Sequence, residues 1–440
     1  MTSADPLALY ETLQCRLAKH ISPQPFSAVH NLRLERITAL LNQLGRPHLQ
    51  VPVVHVGGTS GKGSTASFVE AIVRHHGRRT GLHLSPHLQI INERHQLNGR
   101  PAPTQHLLDC LPALEAAAQQ STAPPFGAPS YFEVQLALSL MLFVQQSVDV
   151  AVVEVGVGGT RDATNVLPAS VAILTNVGLD HTDLLGDTHL KIATDKAGII
   201  KPNQQVFSAV TQPEVVDHVR RRCQAQGATL HLLGEHVRVE HHGSGVMDVH
   251  LPGQQLRGLR IGMAGSFQAQ NAALALGAAR SILGHDLDAA RTQKALSSVQ
   301  LPGRAECIQQ HPAVILDGAH NPDKIRAAAA ALPPQGGTRV AVVALKAGKD
   351  AQDILQYITT QVDHIILTQF RSKGLWQSTA PSDMKPHAPH ALIVDDPDEA
   401  VETALQMVGE DGLVWVTGSL YLIGDVRSRW VPVADLLRSL

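Results

Sequence analysis

The chain has 440 residues, 44% of them hydrophobic, enough apolar material for one large core or for two. Its 17% charged content and formal net charge of −2 give no footprint for nucleic acid, so basic residues near a pocket would serve a local anionic ligand. Cys15, Cys110, Cys223 and Cys307 stand far apart with no CxxC pair, which argues against a thiolate zinc site or a disulfide framework and for buried apolar thiols.

The opening stretch, MTSADPLALYETLQCRLAKH, carries acidic groups early and no long apolar segment, so no signal peptide is expected. No apolar run reaches the ~18 residues of a membrane span. A soluble, cytoplasmic monomer follows, with small-molecule substrates and neither membrane nor nucleic acid as partner. Many of the 24 histidines, among them His75, His76, His241 and His242, fall in polar stretches and read as solvated surface.

Short β-branched runs alternate with helical patterns, the signature of α/β layers with parallel sheets. Buried strands are expected over 51–56, 150–155, 171–175 and 205–208. Helices are expected over 65–76 and over 133–146, the second after a Gly-Ala-Pro-Ser turn. From 228 to 260 the text alternates like antiparallel strands with glycine turns and reads as a β appendage. An Ala-rich helix over 268–283 follows. At Pro302-Gly303-Arg304 the pattern resets, and 313–316, 323–332, 338–345, 351–361, 364–368, 391–394, 400–408 and 413–416 form a second strand–helix series. The expected division is 1–298 and 299–440, with a hinge at the Pro-Gly pair.

Between the 51–56 run and the 65–76 helix lies Gly57-Gly-Thr-Ser-Gly-Lys-Gly-Ser-Thr65. A glycine loop between strand and helix exposes backbone N–H groups, and the helix N-terminus adds partial positive charge. Lys62 would reach β/γ-phosphates, with Ser64 and Thr65 available to phosphate or magnesium. Gly63 separates Lys62 from Ser64, so the spacing departs from the common G-x-x-x-x-G-K-[ST] form; a plain tight turn with an exposed lysine is the bland alternative.

Further motifs follow in order: Leu84-Ser-Pro-His-Leu88, Asn92-Glu-Arg94, Ser130-Tyr-Phe-Glu133, Glu154-Val-Gly-Val-Gly-Gly159, Asp162-Ala-Thr-Asn165, Asn176 to Thr182, Lys196-Ala-Gly-Ile199, Gln270-Asn271, Pro302-Gly-Arg304, Asp317-Gly-Ala-His-Asn-Pro322 and Gly418-Ser-Leu-Tyr421. With the glycine loop they resemble the folylpolyglutamate synthase/dihydrofolate synthase family of the Mur ligase superfamily, over almost the whole chain. The resemblance implies a P-loop-containing parallel-sheet ATPase domain of the Mur central type with a β appendage, then a smaller Rossmann-like α/β domain of the glutamate-ligase type.

It also implies roles. Thr59, Ser60, Gly61, Lys62, Gly63, Ser64, Asn271, Arg304, Asp317 and His320 would bind ATP, and Ser85, Glu154, His181 and Lys196 would ligate magnesium. Lys62, His181 and Lys196 would carry the catalytic work, with Lys196 as a carbamate. Ser130, Tyr131, Phe132, Glu133, Arg161, Asp162 and Ala163 would contact the pteroate acid. Hard oxygen ligands suit magnesium, and one imidazole is tolerable among them. Taken alone, His181 reads as a core or surface histidine, Lys196 as a solvated lysine, Arg304 as a linker arginine, and Tyr131 and Phe132 as core aromatics.

The implied activity joins L-glutamate to dihydropteroate, to folates, or to both, through an acyl phosphate made from ATP. Three features depart from the family pattern: Thr160 where a basic residue follows Gly158-Gly159, Ile91 where an aromatic is common, and Thr368 to Gly374 in place of a Pro-Arg-Ala. They touch the acceptor side, so a specialised amide ligase of another pathway stays open, as does a nucleotide-binding module without catalysis.

Overall fold

The computed structural model describes residues 5–21, 34–121, 127–242, 245–334, 336–371 and 377–440. In the first lobe, strands β1 (Val53–Gly57), β2 (Thr80–His83), β3 (His95–Leu97), β4 (Arg100–Pro101), β5 (Val150–Glu154), β6 (Val171–Leu174), β7 (Gln205–Ser208) and β8 (Thr229–Leu232) form one sheet in the order β4-β3-β2-β5-β1-β6-β7-β8. Strands β2, β5, β1, β6, β7 and β8 run parallel; β3 and β4 add an antiparallel edge.

β1, interrupted by His55, and β5, apolar up to Glu154, are rich in valine because both their faces are covered. Val54, Val56 and Val152 meet the helices Lys62–His75 and Phe267–Leu283 on one face. Val53, Ala151 and Val153 meet the helices Thr104–Gln120 and Tyr131–Gln145 on the other. Every loop leaving the carboxyl end of β1, β5 or β6 therefore opens on one edge, where ligands of such sheets bind.

The expected 228–260 appendage is smaller than its sequence pattern. Residues 229–232 join the main sheet as β8, parallel to β7, because the helix Pro213–Gln226 ends on left-handed Gly227 and returns the chain as a βαβ crossover. The antiparallel sheet consists of β9 (Arg238–His241), β10 (Val246–Leu251) and β11 (Gln254–Arg260). Its inner face, Met247, Val249, Leu251, Leu256 and Leu259, shares a core with the helix Phe267–Leu283.

The second lobe holds β12 (Glu306–Gln310), β13 (Ala313–Leu316), β14 (Arg339–Val343), β15 (His364–Leu367), β16 (Leu392–Ile393) and β17 (Leu413–Thr417), in the order β12-β13-β17-β14-β15-β16. Only β12 is antiparallel. Apolar clusters lie on both faces, one around Trp415 and Ile354, the other around Val414 and Leu422.

The lobes also meet away from their sheets. The helix Val433–Arg438 leaves the second lobe and buries Leu437 among Tyr10, Leu13 and Leu17 of the first. Arg427 grips Glu306 through Nε and Nη2, and its Nη1 donates to Gln89 Oε1 of the first lobe. Gln89 in turn donates to the Val431 carbonyl at 2.9 Å. Among the described residues no helix is long and apolar enough to cross a membrane.

Candidate active site

The glycine loop turns from β1 into the helix Lys62–His75, whose N-cap Gly61 has a left-handed φ of 79°. A Cβ there would stand 2.5 Å from Asn271 Oδ1, so the loop seats against the helix Phe267–Leu283 only because this position is glycine. Asn271 is held by Gln268, whose amide also reaches Ser64 Oγ at 3.4 Å. On the other side Asn176 accepts from the Thr59 N–H through its carbonyl and from the Ser60 N–H through Oδ1, at 3.0 and 2.9 Å. Thr59 to Ser64 and Asn271 thus form one unit, with Lys62 at its mouth.

Glu154 ends β5 directly beneath the loop. One carboxylate oxygen accepts from the Ser85 N–H at 2.9 Å; the other faces the Gly63 backbone. Burial raises its pKa against the pull of Lys62, the Ser85 N–H, Arg304 and Arg94. A buried carboxylate beside a serine suits a hard cation. His181, a left-handed residue at the start of a short helix, borders the same space; the cleft walls push its imidazole down to about 4 and leave it neutral.

Lys196 is buried, and its Nζ donates to the Gly58 carbonyl at 3.1 Å. Burial, then the facing charge of Lys62, lower its pKa to about 7. Its backbone lies under Gly159, where a Cβ would come within 2.7 Å of the Lys196 carbonyl; the Gly158-Gly159 pair exists to let these segments touch. The Ser85 hydroxyl, the Glu154 carboxylate and the His181 imidazole are donor types that magnesium accepts. Lys196 fits only as an anion, since an ammonium cannot ligate a metal.

The second lobe supplies the opposite wall. Asp317 follows β13, is buried, and accepts from the N–H groups of Ala305 and Ala319 at 2.7 and 2.8 Å. Burial raises its pKa, while Arg304 pulls the other way. His320 bonds the Gly318 carbonyl through Nδ1 and Lys324 Nζ through Nε2. Asn321 caps the helix Pro322–Ala330 with Oδ1 and donates to Asp180 of the first lobe with Nδ2. Burial and the cations Lys62 and Arg304 bring Lys324 down to about 8, against Asp180.

The acceptor residues divide. Tyr131 and Phe132 are half-buried at the cleft edge, Tyr131 beneath the Arg94 guanidinium at 5.7 Å and Phe132 against Gly156. Arg161 is exposed, and Ala163 is buried beneath it. Ser130 and Glu133 form a capping box, and Glu133 Oε2 also pairs with Arg36 at 2.7 Å, so their polar atoms are engaged by the fold. Asp162 likewise accepts from Val157 N–H and from Thr164 while capping the turn Ala163–Val166. Of the unusual residues, Thr160 is tied to the Asp195 carbonyl, Ile91 sits in the core, and Ser372 to Gly374 lie outside the described residues.

The model of the Mur ligase middle domain matches residues 56–279, and that of the Mur ligase glutamate ligase domain matches 303–420. A dihydrofolate synthase/folylpolyglutamate synthase of Bacillus subtilis is 30% identical over 420 residues, covering 90% of this chain and 94% of the relative. The chain belongs to the dihydrofolate synthase/folylpolyglutamate synthase family. It is therefore a ligase that forms C–N bonds. The solved Mycobacterium tuberculosis folylpolyglutamate synthase complexed with ADP superposes with a TM-score of 0.87 at 29% identity, covering 97% of this chain and 99% of that one. E. coli FolC in complex with DHPP and ADP superposes with a TM-score of 0.83 at 27% identity, covering 97% and 98%.

Within this family chain, sequence reading missed two groups at the cleft. Arg94 is buried, its Nε bonded to His87 at 2.8 Å, and its charge faces Tyr131, Tyr421 and Glu154. The signal was its place in Asn92-Glu-Arg94. Asp180, one residue before His181, accepts from Lys324 and Lys349 of the second lobe. A sequence separation of more than 140 residues hid that cluster.

Proposed function

We propose that this protein uses ATP to phosphorylate the carboxylate of dihydropteroate, of folates, or of both, and joins the acyl phosphate to the amine of L-glutamate. One observation carries the reading: cations of both lobes, Lys62, Lys196, Lys324, Lys349 and Arg304, face one cleft, where burial and then their charges push Lys196 and Lys324 down. Such an excess, beside a glycine loop at a helix N-terminus, suits a polyphosphate.

Lys62 sits where charge builds on a transferring γ-phosphoryl group, and Thr59 to Ser64 supply backbone donors along the phosphates. Asn271, Arg304, Asp317 and His320 complete the nucleotide's surroundings from both sides of the cleft. Glu154, His181, Ser85 and, once carbamylated, Lys196 would hold magnesium, which supplies Lewis-acid neutralisation of phosphate oxygens. With a pKa near 7, Lys196 has a substantial neutral fraction at physiological pH. That amine can add to carbon dioxide, releasing one proton and leaving a carbamate anion. The acid's ring system would rest against Tyr131 and Phe132. Amide formation releases phosphate and needs no enzyme nucleophile, only exclusion of water from the acyl phosphate.

The test is glutamate-dependent phosphate release with dihydropteroate and with a folate monoglutamate, products being read by mass spectrometry. One added glutamyl residue on either acid supports the reading. Turnover with neither would favour an amide ligase of another pathway, and no turnover with any acid a nucleotide-binding module. Carbon-13 bicarbonate should label wild type with a carbamate signal that Lys196→Ala lacks.

A further inference from the structure

β9 and β10 pair in a register that sets Glu240 directly opposite Asp248. Side chains alternate across a strand, so Glu240 and His242 lie on one face with Asp248 and His250, while Met247, Val249 and Leu251 point into the core. Two carboxylates opposite one another repel, and nothing in the apolar inner face relieves that cost. Two imidazoles flank the pair instead. His242 Nε2 lies 3.2 Å from Asp248 Oδ2, and His250 Nε2 lies 3.1 Å from Glu240 Oε1.

The ligand atoms of Glu240, His242 and Asp248 all fall within 4.8 Å of one another. A tetrahedral ion with ~2.1 Å bonds spaces its donors about 3.4 Å apart, so these atoms need only small rotamer adjustments to close on one centre. The fold has already oriented one ligand: Asp248 Oδ1 accepts from the Gly258 N–H at 2.7 Å, which leaves Oδ2 toward the imidazole. That bond is the kind of outer contact that fixes a ligating carboxylate. Imidazoles favour zinc and its neighbours over magnesium or calcium.

We propose that Glu240, His242 and Asp248 form a zinc site on the outer face of the appendage, a cross-strand clip between β9 and β10, with His250 beside Glu240. It is separate from the ligase cleft and independent of the reading given for it. Binding replaces the contacts of His242 with Asp248 and of His250 with Glu240, and the contact between His250 and Gln255.

The full-length protein, stripped of metal and then saturated with magnesium, is titrated with zinc chloride by calorimetry. Wild type should show one site more than His242→Ala/His250→Ala, or bind zinc at that site at least ~10-fold more tightly. His241→Ala, on the neighbouring position of β9, should behave as wild type. Zinc should raise the melting temperature of wild type and of His241→Ala more than that of the double variant, whose fold is checked by circular dichroism. Equal stoichiometry and affinity in wild type and double variant, or equal losses in His241→Ala, would overturn the site.

Discussion

Asp180 Oδ2 lies 3.0 Å from Lys324 Nζ, a buried carboxylate of the first lobe against an ammonium of the second. Asp180 also holds Lys349 at 3.2 Å. Burial alone would raise this carboxyl, but the facing ammonium groups of Lys324 and Lys349 hold it well below the usual carboxylate range. Asp180→Ala leaves two lysines uncompensated in a narrow cleft. It should cost about 2 to 3 kcal/mol, less than a fully buried pair because both lysines keep some solvent. Adding Lys324→Met should recover part of that loss, as a double-mutant cycle in chemical denaturation would measure. A Lys324→Met effect of the same size with and without Asp180 would show the two residues to be uncoupled.

Lys62→Ala should keep the fold, because the loop is shaped by its glycines and by Asn176. Turnover should fall by ~10² to 10³, the loss typical of removing one preorganised partner of a reacting group. Activity within a few-fold of wild type, in steady-state phosphate release, would remove Lys62 from the chemistry.

Gly61→Ala asks for two things at once, a methyl group against Asn271 and an L side chain at φ 79°. The strain is about 1 kcal/mol or more, and it is concentrated in the loop. Nucleotide affinity should drop at least several-fold by calorimetry while far-ultraviolet circular dichroism stays unchanged.

The acid side of the stability curve should be set in large part by histidines outside the cleft. Burial, helped by Lys201, pushes His55 down to about 3, and burial with Arg94 does the same to His95. Below the unfolded value near 6.5 the unfolded chain binds the protons that these folded sites refuse, so stability falls as pH drops from about 6.5 toward 3. Each should cost about 2 kcal/mol at pH 5. His55→Gln should flatten the difference between urea melts at pH 7 and pH 5; an unchanged difference would mean that His55 accepts a proton in the fold.

Strands whose two faces are both covered were legible from sequence, since β6 and β13 are unbroken apolar runs. The helix at the glycine loop begins at Lys62 rather than 65, because the loop's own residues supply its first turn. The helices Pro6–Ala18, Leu34–Gln43 and Thr104–Gln120 went unread; their apolar positions serve a tertiary layer, and one contains Pro112. The positions of Lys62, which opens a helix, and Glu154, which ends β5, were readable because strand ends place them. Glu133 and Asp162 were not, since only coordinates show that their oxygens are already engaged by capping. His242 read as solvated surface until the strand register put it on one face with Glu240 and Asp248.

The helix Val433–Arg438 gives the linkage between lobes a second strand of chain: the backbone crosses once near Arg304 and again after Val431. A body pinned at two points swings about the line that joins them, as a door does, and cannot twist or drift as a bead on one thread would. The same geometry limits recombination. The glutamate-ligase half cannot be moved to another ATPase as a cassette ending at β17, for its last helix is part of its host's core.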